Sequence, residues 1–425
     1  MQQFQELGQG IEARWRAANY NETVFPQLAA EGLARAAIPS KLNAWDVIDW
    51  ALASSELPPQ KDPHANFGDP PITLFVAPRF YVDAYFWLEG TTSIHQHGFC
   101  GAFQVWMGSS IHSWYAFEPT DRVNAFTEIG RMDLQLCELL EIGAIQEIRA
   151  GRDYIHSLFH LDQPSVTIVV RTDQSPLSLP QFDYRKPSLA IDPFFEHSTT
   201  TKKMQCITAM FGARREETDE VVGRLLEETD FQTSVKILTT LHGHLGGSTI
   251  DKMFGLSQPA ERFQKFLDIV RRQHGKLAET LPAVFAHRQR TSELVRRRSY
   301  ITDPEHRFFF ALLLNADDRE TVFSLIGQRY PDIDPIEKVL DWIDDLSRTR
   351  LAGSAAGSNA LGIADFDELD LSLVENLLKG KNDEEIQEIL TQDYGAERLA
   401  AREFESKLNR IRASVIFQPL LDFRF

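Results

Sequence analysis

The chain has 425 residues, of which 43% are hydrophobic, including 29 Phe and 7 Trp. That length exceeds what one core usually organises, so more than one folded region is expected, with ample apolar material for packed interiors. A formal net charge of −17 disfavours nucleic acid or an anionic membrane surface as the main partner, and no apolar run approaches the roughly 18 residues of a membrane span.

The N-terminal stretch MQQFQELGQGIEARW has neither a basic n-region nor an apolar h-region, so a cytoplasmic location is expected. Residues 1–65 read as a helical preface: FQELGQGIEARWRAANYN and NAWDVIDWALASSEL carry apolar residues at i, i+3 and i+4, and PSKLNAWD supplies Pro and Asn at a helix start. Over 66–200 the period changes to two. ITLFVAP, YVDAYFWLEG, AFQVWMG, IHSWYAFEP, AIQEIRAG and SVTIVVRT are separated by turn residues, the pattern of an all-β sandwich or barrel. The proline-rich stretch 172–198 reads as a wrapping segment that leaves this barrel. Over 201–425 helical spacing returns, in TDEVVGRLLEETD, PAERFQKFLDIVRRQHG and DPIEKVLDWIDDLS, the last with Asp at a cap and Pro in the first turn. The fold class is therefore α+β: a barrel with N-terminal helices and a separate all-α C-terminal domain. RTRLAGSAAGSNALG (348–362) reads as a linker, and RQRTSELVRRRS (288–299) as a solvated helix face in preference to an anion-binding patch. Cys100, Cys137 and Cys206 lack the spacing of a disulfide framework or a structural zinc site.

The stretch TTSIHQHGFCGAFQVWMG (91–108) sets two histidines one residue apart. On a strand, residues i and i+2 share a face, so His95 and His97 form a chelating edge that needs a third ligand from a neighbouring strand. His112, His156 and His160 are the other histidines of the β region; His112 alternates with Trp114 and reads as a pocket or surface residue. A second HxH, in LHGHLGG (241–247), sits among glycines with no further histidine nearby and reads as incidental.

The spacing Gly90-x4-His95-x-His97-x10-Gly108, followed by Gly151-x4-His156-x3-His160, resembles the two motifs of the cupin superfamily. The resemblance covers residues 70–180 and implies a double-stranded β-helix whose metal is held by His95, His97 and His156. It leaves His160 in a supporting role behind the ligands, or as ligand in place of His156. The glutamate of the first cupin motif falls on Gly101 or Ala102, neither of which ligates. A set of three histidines without a carboxylate is the departure shown by cysteine dioxygenase and its relatives acting on cysteamine, 3-mercaptopropionate or N-terminal cysteine, and TSIHQH is similar to their motif. The resemblance thus implies Fe(II), with Zn, Ni and Mn as alternative occupants, and a dioxygenase that oxidises a small thiol or related small acid with dioxygen. Three neutral imidazoles leave the metal its full charge and favour an anionic ligand such as a thiolate.

On the last strand Thr167, Val169 and Arg171 share one face, where that family carries Ser, His and Tyr; the acid/base pair and any thioether crosslink to Cys100 are therefore missing. Arg171 reads either as the anchor for a substrate carboxylate or as half of a salt bridge. Phe103, Val105 and Met107 are expected to face the interior and Trp106 to face out, with Gln104 and Tyr85 as polar handles. Two other functions remain open on the same residues: a metal-dependent isomerase or lyase, and a non-catalytic sensor that reports through the helical half. That half is also a candidate surface for a homodimer or a carrier or pathway partner.

Overall fold

A computed structural model describes the chain except for residues 62, 64–66, 89–91, 176–177, 246–258, 351–358, 396–400 and 422–425. Gly90, the boundary expected at 65/66, Gly246, Gly247 and most of the expected linker lie outside the described residues.

The N-terminal helices are α1 (Gln2–Ala17), α2 (Phe25–Ala36) and α3 (Trp45–Ala53). On α1 the residues Phe4, Leu7, Ile11 and Trp15 fall on one stripe and are buried, as the 3.6-residue period requires. The strands are β1 (Pro71–Val76), β2 (Phe80–Trp87), β3 (Ile94–His97), β4 (Gly101–Met107), β5 (Ser110–Asn124), β6 (Thr127–Leu140), β7 (Ile145–Ile148), β8 (Gly151–His160), β9 (Ser165–Thr172), β10 (Asp183–Arg185) and β11 (Leu189–Ile191). One sheet runs β1-β2-β9-β4-β7; in the other, β10-β11-β6-β5-β8-β3, the end strands pair and close the ring. The result is a β-barrel region flanked by helices on both sides in sequence.

Alternation decides what each strand face meets. On β9, Val166, Ile168 and Val170 pack under the N-terminal helices with Phe4, Trp15 and Phe25. Val169 turns inward to join Tyr85, Trp87, Phe103 and Val105, and Tyr154 and Leu158 reach the same layer from the other sheet. Trp106 points out of the barrel as expected, yet it is buried, because the N-terminal helices cover it and Leu42 accepts its indole N–H at 3.0 Å. Met107 does not face the interior: a bulge between Val105 and Met107 shifts the register, and Met107 packs with Trp106 against the helical cluster. Gln104 is not a handle in the interior either, since it donates to the Gly143 carbonyl at 3.2 Å.

The stretch 172–198 does not leave the barrel. It supplies β10 and β11, which pair with β3 and β6 and so complete the ring. A further strand, β6, forms a long hairpin with β5; an extra residue at Gln135 interrupts the alternation of β6, and one at Thr120 that of β5.

The C-terminal helices are α4 (Ser198–Gly212), α5 (Thr218–Glu228), α6 (Phe231–Leu245), α7 (Pro259–His274), α8 (Leu281–Ser299), α9 (Pro304–Asn315), α10 (Arg319–Arg329), α11 (Pro335–Arg348), α12 (Glu368–Leu378), α13 (Asp383–Tyr394) and α14 (Ala401–Arg412). The start of α11 is as the sequence predicts: Asp334 accepts from the Ile336 and Glu337 amides, Pro335 opens the first turn, and Val339, Trp342, Ile343 and Leu346 are buried. These helices share their cores with the barrel. Ile129, Leu189 and Ile191 pack with Leu226, Leu238 and Phe285, and Ile111 and Phe159 pack with Phe308, Leu312 and Trp342. The run 288–299 is no solvated face throughout, because Arg290, Arg297 and Arg298 donate to the Leu313, Ala360 and Arg307 carbonyls. Among the described residues no helix is long and apolar enough to cross a membrane.

Candidate metal centre

His95 and His97 lie on β3 and His156 on β8, and the two strands pair with His95 opposite His156. Gly151, opposite His97, has φ +75°, and Gly108, the last residue of the first motif, has φ +76°, so both sites use the left-handed freedom of glycine. The three histidines are buried, and each offers a ring nitrogen to a group whose members all lie within 4.8 Å of one another. His97 Nε2 and His156 Nε2 are 2.9 Å apart. Two nitrogens bound to one metal at about 2.1 Å and at right angles to each other sit about 3 Å apart, so this contact has the spacing of adjacent ligand positions.

The hydrogen bonds favour the same role. His95 donates from Nδ1 to the Ser93 carbonyl at 2.7 Å, which leaves Nε2 as the unprotonated nitrogen of the neutral ring. Burial lowers the pKa of all three; like charge on the neighbouring rings lowers His97 and His156 further, to well below the ordinary imidazole value. The rings are therefore neutral, the form in which histidine ligates. His156 Nδ1 is buried with no hydrogen-bond partner among the described residues.

The surroundings are aromatic. Phe99 lies 4.4 Å from His97 and Tyr154 lies 4.5 Å from His156, measured between ring centres. His112 is buried beside them, its ring 5.4 Å from that of His156. Its Nε2 bonds the Tyr154 hydroxyl at 3.0 Å and its Nδ1 bonds Glu138 at 3.0 Å. This Glu138–His112–Tyr154 chain was not read from the sequence, because its members come from β6, β5 and β8 and only the register brings them together.

Asp183 was missed as well. It stands opposite His95 across the β10–β3 pair and accepts from the Ser93 hydroxyl; burial raises its pKa, and the neighbouring His95 offsets part of that rise. Its only sequence signal is the short alternation DYR inside the stretch read as leaving the barrel.

His160 is not brought to the group. Four residues along β8 from His156, or about 13 Å at strand rise, it stacks on Trp87 with ring centres 4.5 Å apart, and its Nδ1 bonds Ser110 and Ser165 at 3.1 and 2.6 Å. Arg171 lies near the site but one ring removed. Its guanidinium sits 3.4 Å over the centre of Phe99, the ring that contacts His97. Among the described residues Arg171 makes no ion pair, and its Nε is buried without a partner. Cys100 faces the N-terminal helices, where its thiol lies 3.6 Å from the Glu22 carbonyl.

Neither position at which the resemblance would place a glutamate could present one to the histidines. Ala102 faces the helical cluster. A Cβ on Gly101 would lie 1.9 Å from the Val170 carbonyl oxygen, so β4 and β9 approach too closely there for any side chain. The second HxH is split: His242 packs on Phe263 and Phe285, and His244 bonds Thr208.

No protein-family model matches the chain. No curated protein matches it significantly. Fold and site together define a β-barrel protein with a buried group of three histidines that could hold a metal ion.

Proposed function

We propose that the chain is a cupin-like non-haem oxygenase in which His95, His97 and His156 hold Fe(II) and a small thiol, or a related small acid, is oxidised with dioxygen. The observation that carries this reading is the 2.9 Å contact between His97 Nε2 and His156 Nε2, beside a His95 whose Nδ1 is committed to Ser93. The group offers three neutral donors and no carboxylate, a set that suits Fe(II) with an anionic co-ligand; Zn, Ni and Mn fit the same donors. When bound there, Fe(II) would supply redox chemistry toward dioxygen. The net reaction places both oxygen atoms on sulfur as a sulfinate and needs no external reductant.

The remaining roles belong to the chain. Arg171 holds the carboxylate of the substrate; its lack of an ion pair among the described residues and its unpartnered Nε support that role, which requires the acid to reach past the edge of Phe99. Phe99, Phe103 and Tyr154 keep water from the ligands. His160 braces β8 through Ser110 and Ser165.

A second reading, a metal-dependent isomerase or lyase, is favoured by one observation: the Glu138–His112–Tyr154 chain is a path for a proton that ends beside His156. Oxygen uptake separates the two. The chain loaded with Fe(II) is expected to consume dioxygen with at least one of cysteine, cysteamine and 3-mercaptopropionate and to yield the sulfinate. Turnover of a small acid without oxygen uptake would transfer the site to the second reading, and tight binding without turnover would make it a sensor.

A further inference from the structure

The arginine-rich run of α8 contributes to a cavity of about 340 Å³ between the barrel and the C-terminal helices, a size within the range of small-molecule sites. Arg185 and Lys186 reach it from the end of β10, and His287 and Arg288 from α8. Among the described residues no Asp or Glu lines it, although the chain carries 61 acidic residues against 44 Lys and Arg. Lys186 is already neutralised by Asp317, with contacts of 2.6 and 2.8 Å. Burial, with Lys186 nearby, lowers the His287 pKa to about 4 and leaves that ring neutral.

Arg185 and Arg288 are different. Arg185 donates to the Thr239 hydroxyl at 3.0 Å, and among the described residues neither arginine has an ion pair with a carboxylate. Burial lowers the pKa of both, and Arg288 lowers that of Arg185 further, with Asp183 on the same strand offsetting only part of the fall, so two like charges lie close enough to repel in a partly desolvated space. An arrangement of this kind is costly unless an anion joins it. Much of the remaining wall is apolar, formed by Ile94, Phe159, Phe285, Val295 and Leu314.

We propose that this cavity binds a small amphipathic organic anion, with its carboxylate or phosphate head between Arg185 and Arg288 and its apolar body against Phe159, Phe285 and Val295. A guanidinium fork suits either head. The binding groups are separate from the metal group: Ser157 and Phe159 line the cavity from the face of β8 opposite His156, and the shared contact is Ser93, which lines the cavity and whose carbonyl accepts from His95.

The test is calorimetric titration of the full chain with octanoate, phenyl phosphate, inorganic phosphate and octanol, paired with thermal unfolding. Octanoate or phenyl phosphate should bind, and the stronger of the two identifies the head group. Arg185→Gln and Arg288→Gln should each weaken that binding about tenfold or more. Because Arg288→Gln removes an unpaired charge, the ligand-free variant should unfold at or above the wild-type midpoint with its metal content unchanged. The proposal is overturned if neither organic anion binds, or if octanol or inorganic phosphate binds as tightly as they do. It is equally overturned if both variants bind like the wild type, or if Arg288→Gln lowers the ligand-free midpoint as the loss of a structural guanidinium would.

Discussion

Replacing Gly101 by Ala should weaken the barrel at the point where the cupin-like motif would carry its carboxylate. The new Cβ would lie 1.9 Å from the Val170 carbonyl oxygen and 2.9 Å from the Arg171 Cα, where real Cβ contacts are essentially never under 3.0 Å. The strands must therefore part by about 1 Å at the Gly101–Arg171 pair, and Gly101 has no free side to move to because β4 lies between β9 and β7. Overpacking of this kind costs about 1–3 kcal/mol. Losing a ladder hydrogen bond adds about 1 kcal/mol, so the expected loss is about 2–4 kcal/mol. Urea unfolding followed by tryptophan fluorescence should show a lower midpoint for Gly101→Ala. Gly212→Ala is the control, because a Cβ there meets nothing within 4 Å and the variant should be neutral or slightly more stable. A Gly101→Ala protein with the wild-type midpoint would refute the reasoning, and with it the steric account of the missing glutamate.

Two further outcomes follow from neighbouring residues. Burial lowers the His160 pKa to about 3 from an ordinary 6.5, so its contribution to stability is fully present above about pH 6.5 and is lost as pH falls toward 3. Near pH 5 the loss is about 2 kcal/mol; His160→Asn should be less stable near neutral pH yet show a shallower decline on acidification, and an unchanged slope would count against it. Arg171→Lys keeps the charge but not the fork, so KM for a carboxylate substrate should rise about ten- to a hundredfold with metal content and unfolding midpoint unchanged. Early unfolding with normal substrate binding would instead give Arg171 a purely structural role.

What the sequence made legible is what depends on local period. His95 and His97 share a face because they are two apart on a strand, and the left-handed turns at Gly108 and Gly151 follow the motif spacing. The alternation of β9 and the cap of α11 were readable for the same reason. Tertiary register was not. Asp183 reaches His95 only because β10 inserts between β3 and β11, and no period in a three-residue strand announces that. Bulges erased the signal elsewhere, turning Met107 to the helices and hiding β6. His112 looked like any strand histidine until pairing of β5 with β6 and β8 set it between Glu138 and Tyr154.

The central claim is that His95, His97 and His156 hold a metal together, and metal content tests it most directly. The full chain, purified without a chelating resin, loaded with Fe(II) under nitrogen and desalted, is measured by elemental analysis beside its His156→Ala variant. The account predicts about one metal ion per wild-type chain, and a sharp loss in the variant with its fold retained by circular dichroism. Equal metal content in wild type and His156→Ala, or none in the folded wild type, would contradict it.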